Sequence, residues 1–452
     1  MVDGSSPAHS PPRTGVIHVS FRTRSSQGAV EGISSPSKGR SLQSRLDEAI
    51  GLALAINLDV IHSQVIQLPK IASATLIGKG NVEAIGALIQ ALGISLMVLD
   101  NALTPIQQRN LEKAWGCKVI DRTGLIIEIF GDRARTSEGS LQVELAALNY
   151  QRSRLVRSWT HLERQRGGFG FIGGPGESQL ELDRRLIDER ILKIKKGLAQ
   201  AKRTRGLHRT ARKRIPYPVV ALVGYTNAGK STLFNLITKA NVFAENLLFA
   251  TLDPTMRQVK LPSGRQIILS DTVGFISDLP TQLIAAFRAT LEEVCSADLI
   301  LHVRDSAHPD TEHQAKDVYQ VLEELDIAHP LEAGILLEVC NKIDLLSQED
   351  CETLENRLKR DNNLVVISAL TGQGIDDLLS RIDEKLQEKG TLIQITIPTS
   401  EGEMLAWCYR QGVIVDRQDE GEEIHLSLRL TSPEKLKLLE QFGTILKIKE
   451  II

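Results

Sequence analysis

The run Gly224-Tyr225-Thr226-Asn227-Ala228-Gly229-Lys230-Ser231 combines the parts needed to hold a chain of phosphates. Its glycines let the backbone turn tightly and aim N–H groups at an anion, while a helix starting directly behind adds positive potential. Lys230 then bridges the β- and γ-phosphates, and Ser231 ligates Mg²⁺. Asp271-Thr272-Val273-Gly274 brings a carboxylate that can hold Mg²⁺ through water and a glycine N–H for the terminal phosphate. Between the two lies Phe249-Ala250-Thr251-Leu252-Asp253, whose threonine hydroxyl can close over metal and phosphate; Thr255 is the alternative. Lys230, Thr251 and Gly274 are therefore the expected catalytic groups.

A third segment, Asn341-Lys342-Ile343-Asp344, chooses the base. Its carboxylate can accept both guanine N1–H and the exocyclic N2–H₂, a donor pair that adenine lacks, and a site left with an unpaired carboxylate rejects the wrong base strongly. Lys342 lies along the base plane in this reading. Ser368-Ala369-Leu370 can offer a backbone N–H to guanine O6. Each short segment alone is weak. Together, in this order, they describe a site for a guanine nucleotide with Mg²⁺.

Such a site requires strands that end where these segments begin. Apolar runs precede all four: Pro218 to Val223, Gln266 to Leu269, Gly334 to Val339 and Leu364 to Ile367. Helices are expected over Thr232 to Lys239 and Ile375 to Leu386, so residues 215–389 read as an α/β domain with a doubly wound, mostly parallel sheet. Residues 390–452 follow a β-α-β-β-α-β order, that of a ferredoxin-like α+β module. Helix and strand also alternate from Leu42 to Phe130, which predicts a small N-terminal α/β domain over 41–140. Residues 1–40, rich in Ser, Pro and Gly, read as a disordered leader.

Residues 141–212 hold no clear strand, and 141–214 read as one basic arm. Leu180, Ile187, Ile191, Ile194, Leu198 and Ala201 recur at three and four residues, the seam of a helical hairpin arm. From Arg152 to Arg214 the chain carries 18 Lys plus Arg against 6 Asp plus Glu, although the whole protein has a net charge of only −2. The arm is a basic element in a near-neutral chain, which favours contact with phosphate. At its tip, Arg164 to Gly176 mixes arginines, Phe169, Phe171 and many glycines, a composition able to stack on unpaired bases; the plain alternative is a flexible linker.

At 452 residues and 42% hydrophobic content the chain is too long for one ordinary core, and its length suggests about three domains. No run reaches the length of about 18 apolar residues that a membrane span needs, so a cytoplasmic protein is expected, with peripheral membrane association not indicated. The cysteines, Cys117, Cys295, Cys340, Cys351 and Cys408, show no metal-ligand spacing and read as buried, reduced thiols. No heptad seam is long enough for a dimeric coiled coil, so a monomer is expected.

The flanking sequence resembles the HflX family of ribosome-associated GTPases, within the translation-factor class. The resemblance rests on Gly131 to Gly139 followed by Leu141-Gln-Val-Glu-Leu145, on Gly173-Gly-Pro-Gly-Glu177-Ser-Gln-Leu-Glu181, and on Phe249 to Pro254. It implies Mg²⁺-dependent GTP hydrolysis and association with the large ribosomal subunit, in rescue or splitting of ribosomes or in subunit biogenesis, with the arm at 152–214 on ribosomal RNA. Phe275 follows Gly274 where many GTPases place a glutamine that orients water, which implies slow basal turnover raised by a partner. The family also suggests a second, ATP-dependent activity. Gly78-Lys79-Gly80 is the N-terminal candidate for that nucleotide, and an RNA-remodelling ATPase is the alternative function.

Overall fold

The computed structural model of the protein describes residues 11–21, 40–134, 136–165, 179–212, 217–240, 248–249, 255–277, 294–324, 334–388, 391–411, 413–430, 432–443 and 447–450. They fall into two compact units, one of Met1–Gln200 with Glu245–Asp253 and Ile276–Arg288, the other of Ala201–Ala244, Pro254–Phe275 and Ala289–Ile452.

The first unit is built from β1 (Arg13–Phe21), α1 (Leu42–Leu54), β2 (Asp59–Leu68), α2 (Lys79–Leu92), β3 (Leu96–Leu99), α3 (Pro105–Trp115), β4 (Lys118–Asp121) and α4 (Arg122–Arg133). Its four strands are parallel in the order β2-β1-β3-β4. The inner strand β1 corrects the expectation of a disordered leader. Val16, Ile17 and Val19 are buried, and pairing on both sides satisfies a backbone whose Ser- and Pro-rich neighbours hide it in the composition. The remainder of that leader, 1–10 and 22–39, lies outside the described residues. Helix starts follow local chemistry: Thr104 and Gln107 form a capping box with Pro105 in the first turn of α3, and the Asp121 carboxylate accepts the Gly124 N–H to open α4.

Two long helices follow, α5 (Ser137–Gln165) and α6 (Gln179–Arg212). Arg190 pairs with Glu144 at 2.6 Å and Arg152 with Asp188 at 3.0 Å, an antiparallel register in which Ile191 and Ile194 are the buried seam positions. The hairpin is thus present. Its tip, 166–178, lies outside the described residues.

The second unit carries β5 (Val219–Val223), α7 (Lys230–Thr238), β6 (Thr255–Lys260), β7 (Gln266–Asp271), β8 (Leu299–Asp305), α8 (Thr311–Glu324), β9 (Leu336–Asn341), α9 (Gln348–Leu358), β10 (Leu364–Val366) and α10 (Ile375–Glu388). The sheet order is β10-β9-β8-β5-β7-β6, parallel except for the edge strand β6. Strands such as β5 and β8 are buried almost throughout because helices cover both faces of such a sheet. Its core joins Leu222, Leu233, Phe234, Leu301, Val339, Ile367 and Leu378.

The C-terminal part adds β11 (Thr391–Pro398), α11 (Gly402–Gln411), β12 (Val413–Glu420), β13 (Glu423–Leu430), α12 (Ser432–Phe442) and β14 (Lys447–Glu450). The antiparallel order β12-β13-β11-β14 is that of the expected ferredoxin-like module. No helix among the described residues is long and apolar enough to cross a membrane. The thiols differ from expectation: Cys340 and Cys408 are buried, Cys117 and Cys351 half-buried, and Cys295 exposed, since it lies in the helical residues just ahead of the turn into β8 rather than in the sheet.

Candidate active site

The segments beginning at Gly224, Asp271, Asn341 and Ser368 stand at the C-terminal ends of β5, β7, β9 and β10, the edge where open parallel sheets bind ligands. After β5, Gly224 takes a φ of 150°, and a Cβ there would stand 2.2 Å from the Val303 carbonyl oxygen of β8. Gly229 has a φ of 95° and opens α7; a Cβ on it would stand 2.2 Å from Asn341 Nδ2. Only glycine satisfies both positions. Lys230 is buried, and its ammonium donates to the carbonyl oxygens of Gly224 at 3.1 Å and Tyr225 at 2.7 Å. Burial pushes its pKa down to about 8, against the opposing pull of Asp271. His302, beneath the loop on β8, is pushed down to about 3 by burial and then by the charges of Arg304 and Lys230, so it is neutral.

Asp271 closes β7 and is fully buried, and its Oδ2 accepts the Ser231 hydroxyl at 2.7 Å. The two metal candidates thus come together as adjacent hard oxygens, a donor set suited to Mg²⁺ completed by phosphate oxygens and water. Thr272 is turned away, its hydroxyl donating to the Leu222 carbonyl at 2.5 Å. Gly274 passes so close to the phosphate loop that a Cβ would lie 2.8 Å from Thr226 Cγ2 and 3.0 Å from Lys230 Nζ. Backbone bonds Thr226 N–H to Phe275 O (2.7 Å) and Phe275 N–H to Gly224 O (3.1 Å) zip the two loops together. Phe275 itself is buried, so its side chain packs.

At the other end, Asn341 ties three segments together. Its amide nitrogen donates to the Ala228 carbonyl at 2.8 Å, and its oxygen accepts the Ala369 N–H at 2.9 Å. Asp344 is exposed, and its carboxylate accepts the Ser368 hydroxyl at 2.6 Å. Lys342 adopts a φ of 64°, and its ammonium lies 2.7 Å from Asp305 Oδ2. Ile343 starts a short 3₁₀ turn, and Leu370 is exposed. Sequence reasoning missed Asp305, the last residue of β8, which the structure sets in register with Asn341.

Other expected residues lie elsewhere. Phe249 belongs to the first unit, where its ring is buried edge-on to Phe130 at 4.7 Å between centroids. Ala250, Thr251, Leu252 and Asp253 lie outside the described residues, and Thr255 is the first residue of β6. Lys79, between Gly78 and Gly80, is almost wholly exposed and pairs with Glu83 at 3.8 Å. In the arm, Arg184, Arg185 and Arg190 have acidic partners, while Lys193, Lys195 and Lys196 are exposed.

Four family models cover the chain in sequence. Residues 43–131 match a GTP-binding GTPase N-terminal region, 133–212 a GTP-binding GTPase middle region, 219–342 a 50S ribosome-binding GTPase and 353–450 an HflX C-terminal domain. The GTPase HflX of Magnetococcus marinus is 52% identical over 398 residues, 88% of this chain and 90% of that protein. The GTPase HflX of Escherichia coli K12 is 45% identical over 370 residues, 81% of this chain and 84% of that protein. A crystal structure of a GTP-binding protein from the archaeon Sulfolobus solfataricus in complex with GDP aligns at a TM-score of 0.44 and 23% identity, covering 83% of this chain and 99% of that one. With the Gly224–Ser231 loop, the buried Asp271 and the Asn341–Asp344 segment at strand ends of one sheet, and with relatives of this identity over most of its length, the chain belongs to the HflX family of GTPases and hydrolyses GTP.

Proposed function

We propose that the protein couples GTP hydrolysis to work on the large ribosomal subunit, in rescue or splitting of ribosomes or in subunit biogenesis. The observation that carries the reading is the match of 219–342 to a model described as a 50S ribosome-binding GTPase. The basic arm supports it, with 18 cationic against 6 acidic residues from 152 to 214 and Lys193, Lys195 and Lys196 exposed on α6. Ribosomal RNA is the phosphate-rich partner such a surface suits.

In this reading Lys230 and the loop N–H groups bind the phosphates, and Asn341, Lys342 and Asp344 hold the base. Thr251 and Gly274 complete the catalytic set. Ser231 and Thr251, with Asp271 through water, would hold Mg²⁺, which would neutralise charge on the phosphate oxygens. Phe275 offers no hydrogen bond to water, so hydrolysis relies on orientation and electrostatics, with slow basal turnover that a partner raises. The test is GTP turnover with and without purified large subunits, beside Lys230→Ala. Strong stimulation that vanishes in the variant supports the reading; neither stimulation nor co-sedimentation overturns it.

A further inference from the structure

Among the described residues, polar groups stand near the nucleotide site to which neither motif nor proposed mechanism gives a part. Asp305 is the clearest. It ends β8 one strand away from Asn341, with which it is in direct register, and the Ser306 N–H donates to the Asn341 carbonyl at 3.0 Å. Both carboxylate oxygens are used: Oδ2 accepts the Lys342 ammonium at 2.7 Å, and Oδ1 accepts the Ala307 N–H at 3.1 Å.

Lys342 is thereby fixed at both ends. Its backbone sits in the left-handed region, at a φ of 64°, and its ammonium is docked on Asp305, with the lysine and aspartate side chains only 24% and 15% exposed. The four methylenes between these anchors have little rotamer freedom left. A lysine stem can then present a preformed apolar shelf to a purine while its charge stays on a carboxylate.

We propose that Asp305 is a positioning residue for guanine nucleotides, acting through Lys342 by holding its stem in place before the base arrives. The inference rests on the reading of Asn341 to Asp344 as the base site. Removing the anchor leaves the stem to be ordered at each binding event, which weakens affinity and spares the chemical step.

The test is GDP affinity and dissociation rate in the full chain carrying Asp305→Asn, a change that keeps an oxygen for Ala307 and removes the charge. The expected result is affinity about 3- to 10-fold weaker, carried by faster dissociation, with turnover at saturating GTP within about twofold and an unchanged melting temperature. In a Lys342→Ala background the same substitution should do nothing further. Unchanged affinity, or an equal loss in that background, would overturn the inference. Asp344→Asn separates the two levels: a switch in preference from GDP to xanthosine diphosphate upholds the base site, so that a null result at Asp305 falls on this inference alone. Retained guanine preference in Asp344→Asn would sink both.

Discussion

Two parallel sheets in this chain gather charged side chains at their C-terminal edges and use them in opposite ways. In the first unit, Asp100 accepts from Arg122 at 2.5 Å and from His18 at 2.8 Å, and Asp121 accepts from Arg154 at 2.6 Å and from the Leu103 and Gly124 N–H groups. Glu48 takes Arg40 at 3.0 Å and also Arg122. Tyr150 donates to Asp121, and burial followed by that carboxylate raises its pKa. In the second unit the comparable edge carries close-packed glycines, and the buried Lys230 ammonium rests on loop carbonyls instead of a carboxylate. Saturating carboxylates with arginine makes a structural clamp, whereas a lysine left on weak carbonyl acceptors keeps its charge available, as the proposed phosphate site requires.

Arg122→Ala tests the clamp most severely. It leaves Glu48 and Asp100 buried with a cation removed, for an expected destabilisation of about 3–5 kcal/mol by chemical denaturation. A loss under about 1 kcal/mol would mean that the first edge is not saturated in the way argued. The sharpest test of the other edge is Gly229→Ala. The methyl group would need a φ near 95° and the space of Asn341 Nδ2, an amide already bonded to Ala228 and Ala369. Strain plus two weakened hydrogen bonds amount to about 3 kcal/mol, or about 100-fold in GDP affinity by fluorescence titration.

Lys230 makes the contrast sensitive to pH. Its folded pKa of about 8 lies below the ordinary 10.5, so the buried charge carries its full cost to stability below pH 8. Between 8 and 10.5 the unfolded chain binds more protons, and stability rises with pH until the effect ends. Phosphate binding needs the protonated form and therefore weakens as pH rises above about 8. GDP affinity measured from pH 7 to 9.5 should fall tenfold per unit at the steepest, and the fall should be absent in Lys230→Ala.

The phosphate and base segments were legible because each is contiguous and follows an apolar strand, so that one stretch of sequence carries both the chemistry and the element that positions it. The ferredoxin-like order could be read for the same reason. β1 escaped because Val16, Ile17 and Val19 form a short run within Ser- and Pro-rich sequence, and its stability comes from neighbours on both sides. The clamp was invisible. Arg40, Glu48, Asp100 and Arg122 are distant in sequence, and no local pattern marks long-range ion pairs. Asp305 escaped likewise, since a single carboxylate at a strand end has no signature until its neighbour Lys342 is seen in space.

The smallest effect discriminates most finely within the second edge. Ser368 is fully buried; its hydroxyl donates to Asp344 at 2.6 Å and accepts the Thr371 N–H at 3.1 Å, linking the exposed carboxylate to the turn behind it. Ser368→Ala removes both bonds without changing charge, for a cost of about 1 kcal/mol, or about fivefold in GDP affinity, with saturating turnover unchanged. If affinity is unchanged, Asp344 needs no support from Ser368 to meet the base, and preorganisation of this edge resides in Asn341 and its two backbone partners. A fivefold loss would instead place Ser368 beside Asn341 as a second tie, so that the site's readiness for guanine depends on side chains from two different strand ends.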